Sequence, residues 1–137
     1  MSPKRIKQRL ADFQKALGRL HDVLQEDPAK TSAIIDGTIQ RFEFTFELAW
    51  KLGRAYLLHT GIEANNPRAV IKELYQQGMI QDGDGWIEML EDRNKTTHLY
   101  DEQEALAVYK KIKGRYEDLL DKFRDRILPL VGGVKEE

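Results

Sequence analysis

Residues 31–58 read TSAIIDGTIQRFEFTFELAWKLGRAYLL, and this stretch says most about the architecture of the chain. Its apolar side chains recur every three or four positions, which is the spacing of an α-helix. Thr31 or Ser32 can cap the start of the helix, and Gly61 suits the turn after its end near Leu58. Apolar residues also lie on the opposite side, so the stretch predicts a central helix that other helices or a partner cover.

The helical spacing continues on both sides of this stretch. An earlier apolar stripe, closed by Asp27-Pro28, consists of Ile6, Leu10, Phe13, Leu17, Leu20 and Leu24. Asn66-Pro67 opens a short third helix that ends near Gly78, and a turn at 82–85 precedes a fourth helix that starts at Trp86. An Asp101/Glu104 capping box begins the last helix, which Pro129 stops. No stretch has the alternation of a strand. We therefore expect an all-α, antiparallel, up-and-down bundle of four or five helices.

Composition limits the classes of function. The 137 residues are most simply one domain, which we place at 1–130 with a flexible tail at 131–137. The formal charge of −1 gives no global basic field for nucleic acid, although a local patch or a dimer seam could supply one. The absence of cysteine excludes disulfides and thiolate metal sites. Without a signal peptide or an apolar run of membrane length, we expect a cytoplasmic protein that does not interact with a membrane.

The polar residues of the central helix gather in one narrow sector, and they have two interpretations. They could be the solvated edge of a core helix, with Glu47 and Lys51 as an i,i+4 ion pair. Alternatively, the sector lines a groove or a dimer seam that binds substrate or a partner. Arg41 lies on the apolar side and either extends to solvent or pairs across an interface. The residues of this candidate groove are Gln40, Arg41, Glu43, Glu47 and Lys51.

Residues 93–100, RNKTTHLY, bring together three side chains that can carry chemistry. Arg93 can hold a phosphate, His98 can move a proton near neutral pH, and the hydroxyl of Tyr100 can be modified. Thr96 and Thr97 disfavour a regular helix, so the arginine and the histidine could approach one point. The alternative is a polar connector in which the arginine pairs with a nearby acid, namely Glu91, Asp92 or Asp101.

The Arg-x4-His spacing alone is a weak signal, because Arg54 and His59 have it too. On a regular helix these two side chains would point about 140° apart, so they would not converge. His59 suits a helix C-terminus, and His21 reads as a solvated residue. The three histidines also lack the spacing of metal ligands, so we expect no metal site.

Three blocks of sequence add a family resemblance. They are GTIQRFEFTFELAWK at 37–51, PRAVIKEL at 67–74 and GWIEMLEDRNKTTHLYDE at 85–102. With these blocks the chain resembles the nucleotidyltransferase substrate-binding proteins, a branch of the HEPN superfamily encoded beside minimal nucleotidyltransferases. The resemblance implies a HEPN-like helical bundle that forms a homodimer and a partner nucleotidyltransferase encoded nearby.

The resemblance also implies roles for the 93–100 segment. In HEPN ribonucleases the Arg-x4–6-His motifs of two protomers meet at the dimer seam, so Arg93, Asn94 and His98 would form half of a metal-independent site that cleaves RNA. Related toxin–antitoxin pairs carry Arg-x4-His-x-Tyr, and there the nucleotidyltransferase transfers AMP from ATP to the tyrosine, which matches Tyr100. The chain itself would need no cofactor, since the partner would use the ATP. The alternative that the resemblance leaves open is a non-catalytic substrate-binding subunit of a two-component nucleotidyltransferase.

Overall fold

A computed structural model describes residues 2–96 and 101–135, and within these ranges every regular element is a helix. The helices are α1 (Pro3–Leu24), α2 (Ser32–His59), α3 (Pro67–Gln76), α4 (Gly83–Thr96), α5 (Glu102–Lys111) and α6 (Glu117–Gly132), with a π-helical turn (Ile112–Tyr116) joining α5 to α6. The predicted all-α bundle is therefore confirmed. As expected, α2 is central, because it packs against each of the other five helices.

The predicted helix starts rest on side-chain caps that the structure contains. Thr31 accepts a hydrogen bond from the backbone of Ala33, Asn66 caps α3, and Asp101 caps α5 through the N–H of Glu104 at 2.7 Å. Each cap satisfies a backbone donor that a helix start leaves open. Gly61 and Gly78 follow α2 and α3 with φ angles of +92° and +73°, a conformation that favours glycine.

Two predicted boundaries are wrong. Residues 82–85 were expected to form a turn, but α4 already begins at Gly83, since the carboxylate of Asp82 accepts the Gly85 N–H at 2.9 Å and caps the helix there. Pro129 was expected to stop the last helix, but α6 continues to Gly132. Burial of Val131 holds this final turn against the core. The first two residues of the expected tail, 131 and 132, therefore belong to α6.

Aromatic rings connect the helices in the core. The ring of Trp86 on α4 lies 5.3 Å from that of Phe123 on α6 and 6.0 Å from that of Phe46 on α2, measured between centroids. Tyr116 stacks on Phe42 at 5.3 Å. These contacts fix α4 and α6 against the central helix. None of the helices in the described ranges combines the length and apolarity needed to cross a bilayer.

His21 differs from its predicted solvated state. Its Nδ1 contacts the carboxylate of Glu117, and its Nε2 lies 2.7 Å from Oδ1 of Asp121. The two carboxylates lie four residues apart on α6, so both ring nitrogens of His21 contact one turn of that helix. His21 thus ties α1 to α6 and has a structural role that its position on a charged helix face did not indicate.

Candidate functional site

Arg93 lies near the C-terminal end of α4 and contacts α2 in two ways. Its Nη2 is 3.5 Å from Oε2 of Glu47, and its guanidinium carbon lies 5.8 Å from the ring centroid of Phe46. The side chain is 26% exposed, so part of it still contacts solvent. An ion pair and a cation–π contact together orient the arginine towards the surface of α2.

Glu47 is itself held by its own helix. Its Oε2 accepts a hydrogen bond from the indole N–H of Trp50 at 3.1 Å, and its Oε1 is 3.3 Å from Nζ of Lys51. The expected i,i+4 ion pair is therefore present, and the same carboxylate also contacts Arg93 from another helix. Glu47 thus links the polar sector of α2 to the Arg-x4-His segment.

A shallow groove of about 330 Å³ lies along this contact. Its lining residues are Gln40, Glu43, Phe44, Glu47 and Arg93. Phe44 is 61% exposed, which is unusual for a phenylalanine beside a charged groove. The structure thus brings three residues of the candidate polar sector beside Arg93, and it adds an exposed aromatic ring. We call these five residues the Arg93 groove.

The other sequence-predicted site residues lie in different places. Arg41 turns towards α1, where its Nη1 donates to the backbone carbonyl of Arg19 at 2.7 Å. Lys51 contacts Glu47, which lines the groove. Asn94 is exposed in the last turns of α4. His98 and Tyr100 lie outside the described residues.

Asp92, next to Arg93, belongs to a buried polar cluster that sequence reasoning missed. Asp92 is 3% exposed, and its carboxylate accepts a hydrogen bond from the hydroxyl of Tyr116 and lies 3.2 Å from Nζ of Lys111. Burial, reinforced by the contact with Asp92, raises the pKa of Tyr116 far above its usual value. A neutral hydroxyl and a paired carboxylate are the forms that a buried site tolerates.

The π-helical turn explains how Lys111 and Tyr116 reach the same carboxylate. Residues five apart on a regular α-helix point about 140° away from each other. The i→i+5 hydrogen bonding of the π-helical turn brings them nearer to one side. Apolar periodicity predicts a continuous helix here and carries no sign of this turn. The cluster therefore joins the C-terminal end of α4, which carries Arg93, to the junction of α5 and α6.

Arg54 and His59, which repeat the Arg-x4-His spacing, contact different aromatic rings. The guanidinium carbon of Arg54 lies 5.1 Å above the ring of Trp50, and the ring of His59 lies 6.5 Å from that of Tyr56. Both residues remain on regular α2 helix. The structure therefore gives this pair no common site, as its position on a helix predicted.

Comparison with known proteins gives a consistent result. Residues 8–128 match a family model described as nucleotidyltransferase substrate binding protein like. Over 84 residues the chain is 34% identical to the probable ribonuclease HepT of Haemophilus influenzae, a stretch that covers 58% of each chain. The match thus spans less than two thirds of that curated relative.

Solved structures share the fold. A Thermus thermophilus protein is 33% identical and superposes with a TM-score of 0.77, covering 84% of this chain and 98% of that one. The tri-AMPylated HEPN toxin of Shewanella oneidensis, solved in complex with an MNT antitoxin, has a TM-score of 0.74 at 17% identity, covering 90% and 96%. At that identity the likeness concerns the helical fold alone.

Proposed function

Because this chain belongs to the nucleotidyltransferase substrate binding protein like family, we propose that it is the HEPN component of a two-gene module with a minimal nucleotidyltransferase. In this proposal the chain is a cytoplasmic, metal-independent endoribonuclease whose activity the partner controls. The naming of the Haemophilus relative as a probable ribonuclease and the complex of the Shewanella toxin with an antitoxin support this assignment.

The observation that carries the proposal is the position of the Arg93 guanidinium. Glu47 and Phe46 hold its guanidinium at the edge of an open groove, and Asn94 follows it in sequence. A planar guanidinium at a solvent-exposed groove can bind a phosphate through two parallel hydrogen bonds. In this proposal Arg93 and His98, which are five positions apart in sequence, act on one phosphodiester.

The proposed reaction uses the two histidines of a homodimer. His98 of one protomer takes the proton of the ribose 2′-hydroxyl, and the oxygen attacks the adjacent phosphorus. The bond from phosphorus to the 5′-oxygen breaks, and His98 of the second protomer protonates that oxygen. Arg93 stabilises the negative charge that develops on the phosphorane. The products are a 2′,3′-cyclic phosphate and a 5′-hydroxyl, and the base and the acid both come from the protein.

Phe44 supports the homodimer. A large aromatic side chain that is 61% exposed beside Arg93 gains free energy when a second copy covers it. In a two-fold dimer, the same patch on both protomers would meet itself. Covering this patch would place the two Arg93 grooves next to each other, as the composite site requires.

Cleavage by variants of the intact chain tests the ribonuclease. We expect His98→Ala to abolish cleavage of a labelled RNA and to leave the helical circular dichroism spectrum and the urea unfolding midpoint unchanged. His59→Ala is the matched control, because Arg54 and His59 have the same spacing without a common site. Equal cleavage by wild type and His98→Ala would overturn the proposal, as would an equal loss in His59→Ala.

We further propose that the partner controls the site by adenylylating Tyr100. The phenolic oxygen of Tyr100 would attack the α-phosphorus of ATP, pyrophosphate would leave, and the phenolic proton would pass to solvent. The bulky anion two residues from His98 would block the groove and compete for Arg93. Mass spectrometry after incubation with the partner and ATP should find the mass of AMP on the peptide that contains Tyr100. Its absence there, or its presence on the exposed Tyr75, would contradict this mode of control.

One observation favours a second function, a non-catalytic substrate-binding subunit. A groove of about 690 Å³ between α2 and α5 adjoins the Arg93 groove through Glu43. Its polar lining is mainly acidic and consists of Ser32, Asp36, Glu43, Asp101 and Glu102. Carboxylates repel RNA phosphates but fit a basic surface of a partner protein. This function predicts a stable complex with the nucleotidyltransferase, transferase activity that requires this chain, and no cleavage of RNA by either protein.

A further inference from the structure

A second surface of the chain carries two cations and an aromatic ring side by side, and neither proposed function uses it. Arg68, Lys72 and Tyr75 follow one another along α3 at steps of four and three residues, which places them on one face of the helix. All three side chains are exposed. Two cations and an aromatic ring in a row are the groups that contact phosphates and bases in single-stranded nucleic acids.

These residues line a groove and not a flat surface. The groove lies between α3 and the first turns of α4, has a volume of about 620 Å³, and also includes Gly83 and Ile87. The ring of Tyr75 rests against Gly83, where an added Cβ would lie 3.5 Å from its Cδ2. The ring is therefore backed by α4, while Tyr75 as a whole is 55% exposed and can still stack on a base.

The charges of this groove are distributed unevenly. Within the described ranges, neither Arg68 nor Lys72 makes an ion pair or a side-chain hydrogen bond. Asp82 on the opposite wall is neutralised, since its carboxylate lies 2.9 Å from Nη2 of Arg115 and also accepts the N–H of Gly85. Asp84 keeps the first turn of α4 negative. A phosphate is thus attracted to the α3 wall only, where both cations are available.

We propose that the groove between α3 and α4 is a subsite for single-stranded RNA. Arg68 and Lys72 bind backbone phosphates there, and Tyr75 stacks on a base. The subsite rests on the proposed function, because it would hold a flank of the strand that Arg93 and His98 cleave. Gly83 and Arg93 are ten residues apart on α4, so the subsite lies about 15 Å along the helix from the reacting phosphate.

Fluorescence anisotropy with a labelled oligouridine of about 12 nucleotides tests the subsite. The His98→Ala background keeps the RNA intact. Here we expect Arg68→Gln/Lys72→Gln to weaken binding at least tenfold and to reduce the salt-dependence slope by about 1.4, the value for two lost phosphate contacts on a single strand. Tyr75→Ala should weaken binding about fivefold or more, the loss of one stacked base.

Lys15→Gln/Arg19→Gln is the matched control, because these exposed cations have the same spacing on α1 and line none of the grooves described above. The subsite would be overturned if both double variants lost the same affinity for oligouridine. It would also be overturned if the Arg68/Lys72 double variant lost none. Uridine monophosphate provides a second arm. If it binds as tightly as the oligouridine and depends equally on Arg68, the groove is a mononucleotide site and the RNA inference is wrong.

Cleavage separates this inference from the proposed function. If wild type cleaves RNA and the Arg68/Lys72 double variant does so with an unchanged KM, the subsite is overturned while the ribonuclease stands. If wild type cleaves nothing but binds oligouridine in a way that depends on Arg68 and Lys72, the ribonuclease is overturned while the subsite stands.

Discussion

Burial strongly affects the ionisation of Tyr116. Burial in the core, followed by the hydrogen bond to Asp92, raises the pKa of Tyr116 above the value of about 10 of a free tyrosine. The folded chain therefore keeps a proton that the unfolded chain loses at high pH. This contribution to stability is fully present below about pH 10 and is lost as the pH rises further, at up to about 1.4 kcal/mol per pH unit.

Urea unfolding at about pH 9 and about pH 11 measures this effect, and Tyr116→Phe should show a shallower loss of unfolding free energy than wild type. At neutral pH the same variant should be less stable by about 1–3 kcal/mol, because the buried carboxylate of Asp92 loses a donor. Tyr75→Phe, an exposed control, should behave like wild type. If the curves of wild type and Tyr116→Phe are parallel across this range, the raised pKa is wrong.

The start of α4 depends on a close approach of three elements. A Cβ on Gly85 would lie 2.6 Å from Oδ2 of Asp82 and 2.8 Å from Cδ1 of Leu119. Gly85→Ala should therefore destabilise the fold by about 1–3 kcal/mol, although alanine favours a helix, because the cap and the contact with α6 must both move. The comparison is Gly18→Ala on α1, where nothing lies within 4 Å and a gain of about 1 kcal/mol is expected. Equal effects on the urea midpoint would contradict the role of the close approach.

Most helices could be predicted because their signals are local. Caps at Thr31, Asn66 and Asp101 and the apolar spacing depend only on neighbouring residues, and the structure contains all of them. The errors have two causes. At the start of α4 the prediction missed a local cap, the hydrogen bond from the Gly85 N–H to Asp82, whereas at the end of α6 the burial of Val131 in the core extends the helix beyond Pro129. The π-helical turn depends likewise on Asp92, which lies on another helix.

In the candidate site, too, the contacts between helices could not be predicted from local sequence patterns. Sequence patterns selected Arg93 and Glu47 separately, and proximity in sequence suggested that the arginine would pair with an acid in its own segment. The structure pairs it with Glu47 through the crossing of α4 over α2, which no local pattern contains. In the same way, the exposure of Phe44 depends on which side of α2 the other helices leave uncovered. The sequence therefore indicated which residues could carry chemistry, but it did not indicate which residues they contact in the fold.

The uncovered side of α2 leads to a prediction about assembly. If Phe44 lies at the homodimer seam, Phe44→Glu should give a monomer in size-exclusion chromatography with light scattering, since it places a charge in a desolvated contact. Leu58→Glu is the control. This residue is 46% exposed on nearly the same face of α2, but about 21 Å further along the helix, so the dimer should persist.

The monomer would then test the composite site. One His98 cannot readily serve as base and acid in a single turnover, so Phe44→Glu should lose RNA cleavage while its urea unfolding, corrected for the loss of dimer, matches wild type. Binding of oligouridine to the groove between α3 and α4 should persist, because that surface lies within one chain. A dimeric Phe44→Glu variant would move the seam elsewhere, and a monomer that cleaves at the wild-type rate would show that a single chain holds the complete site.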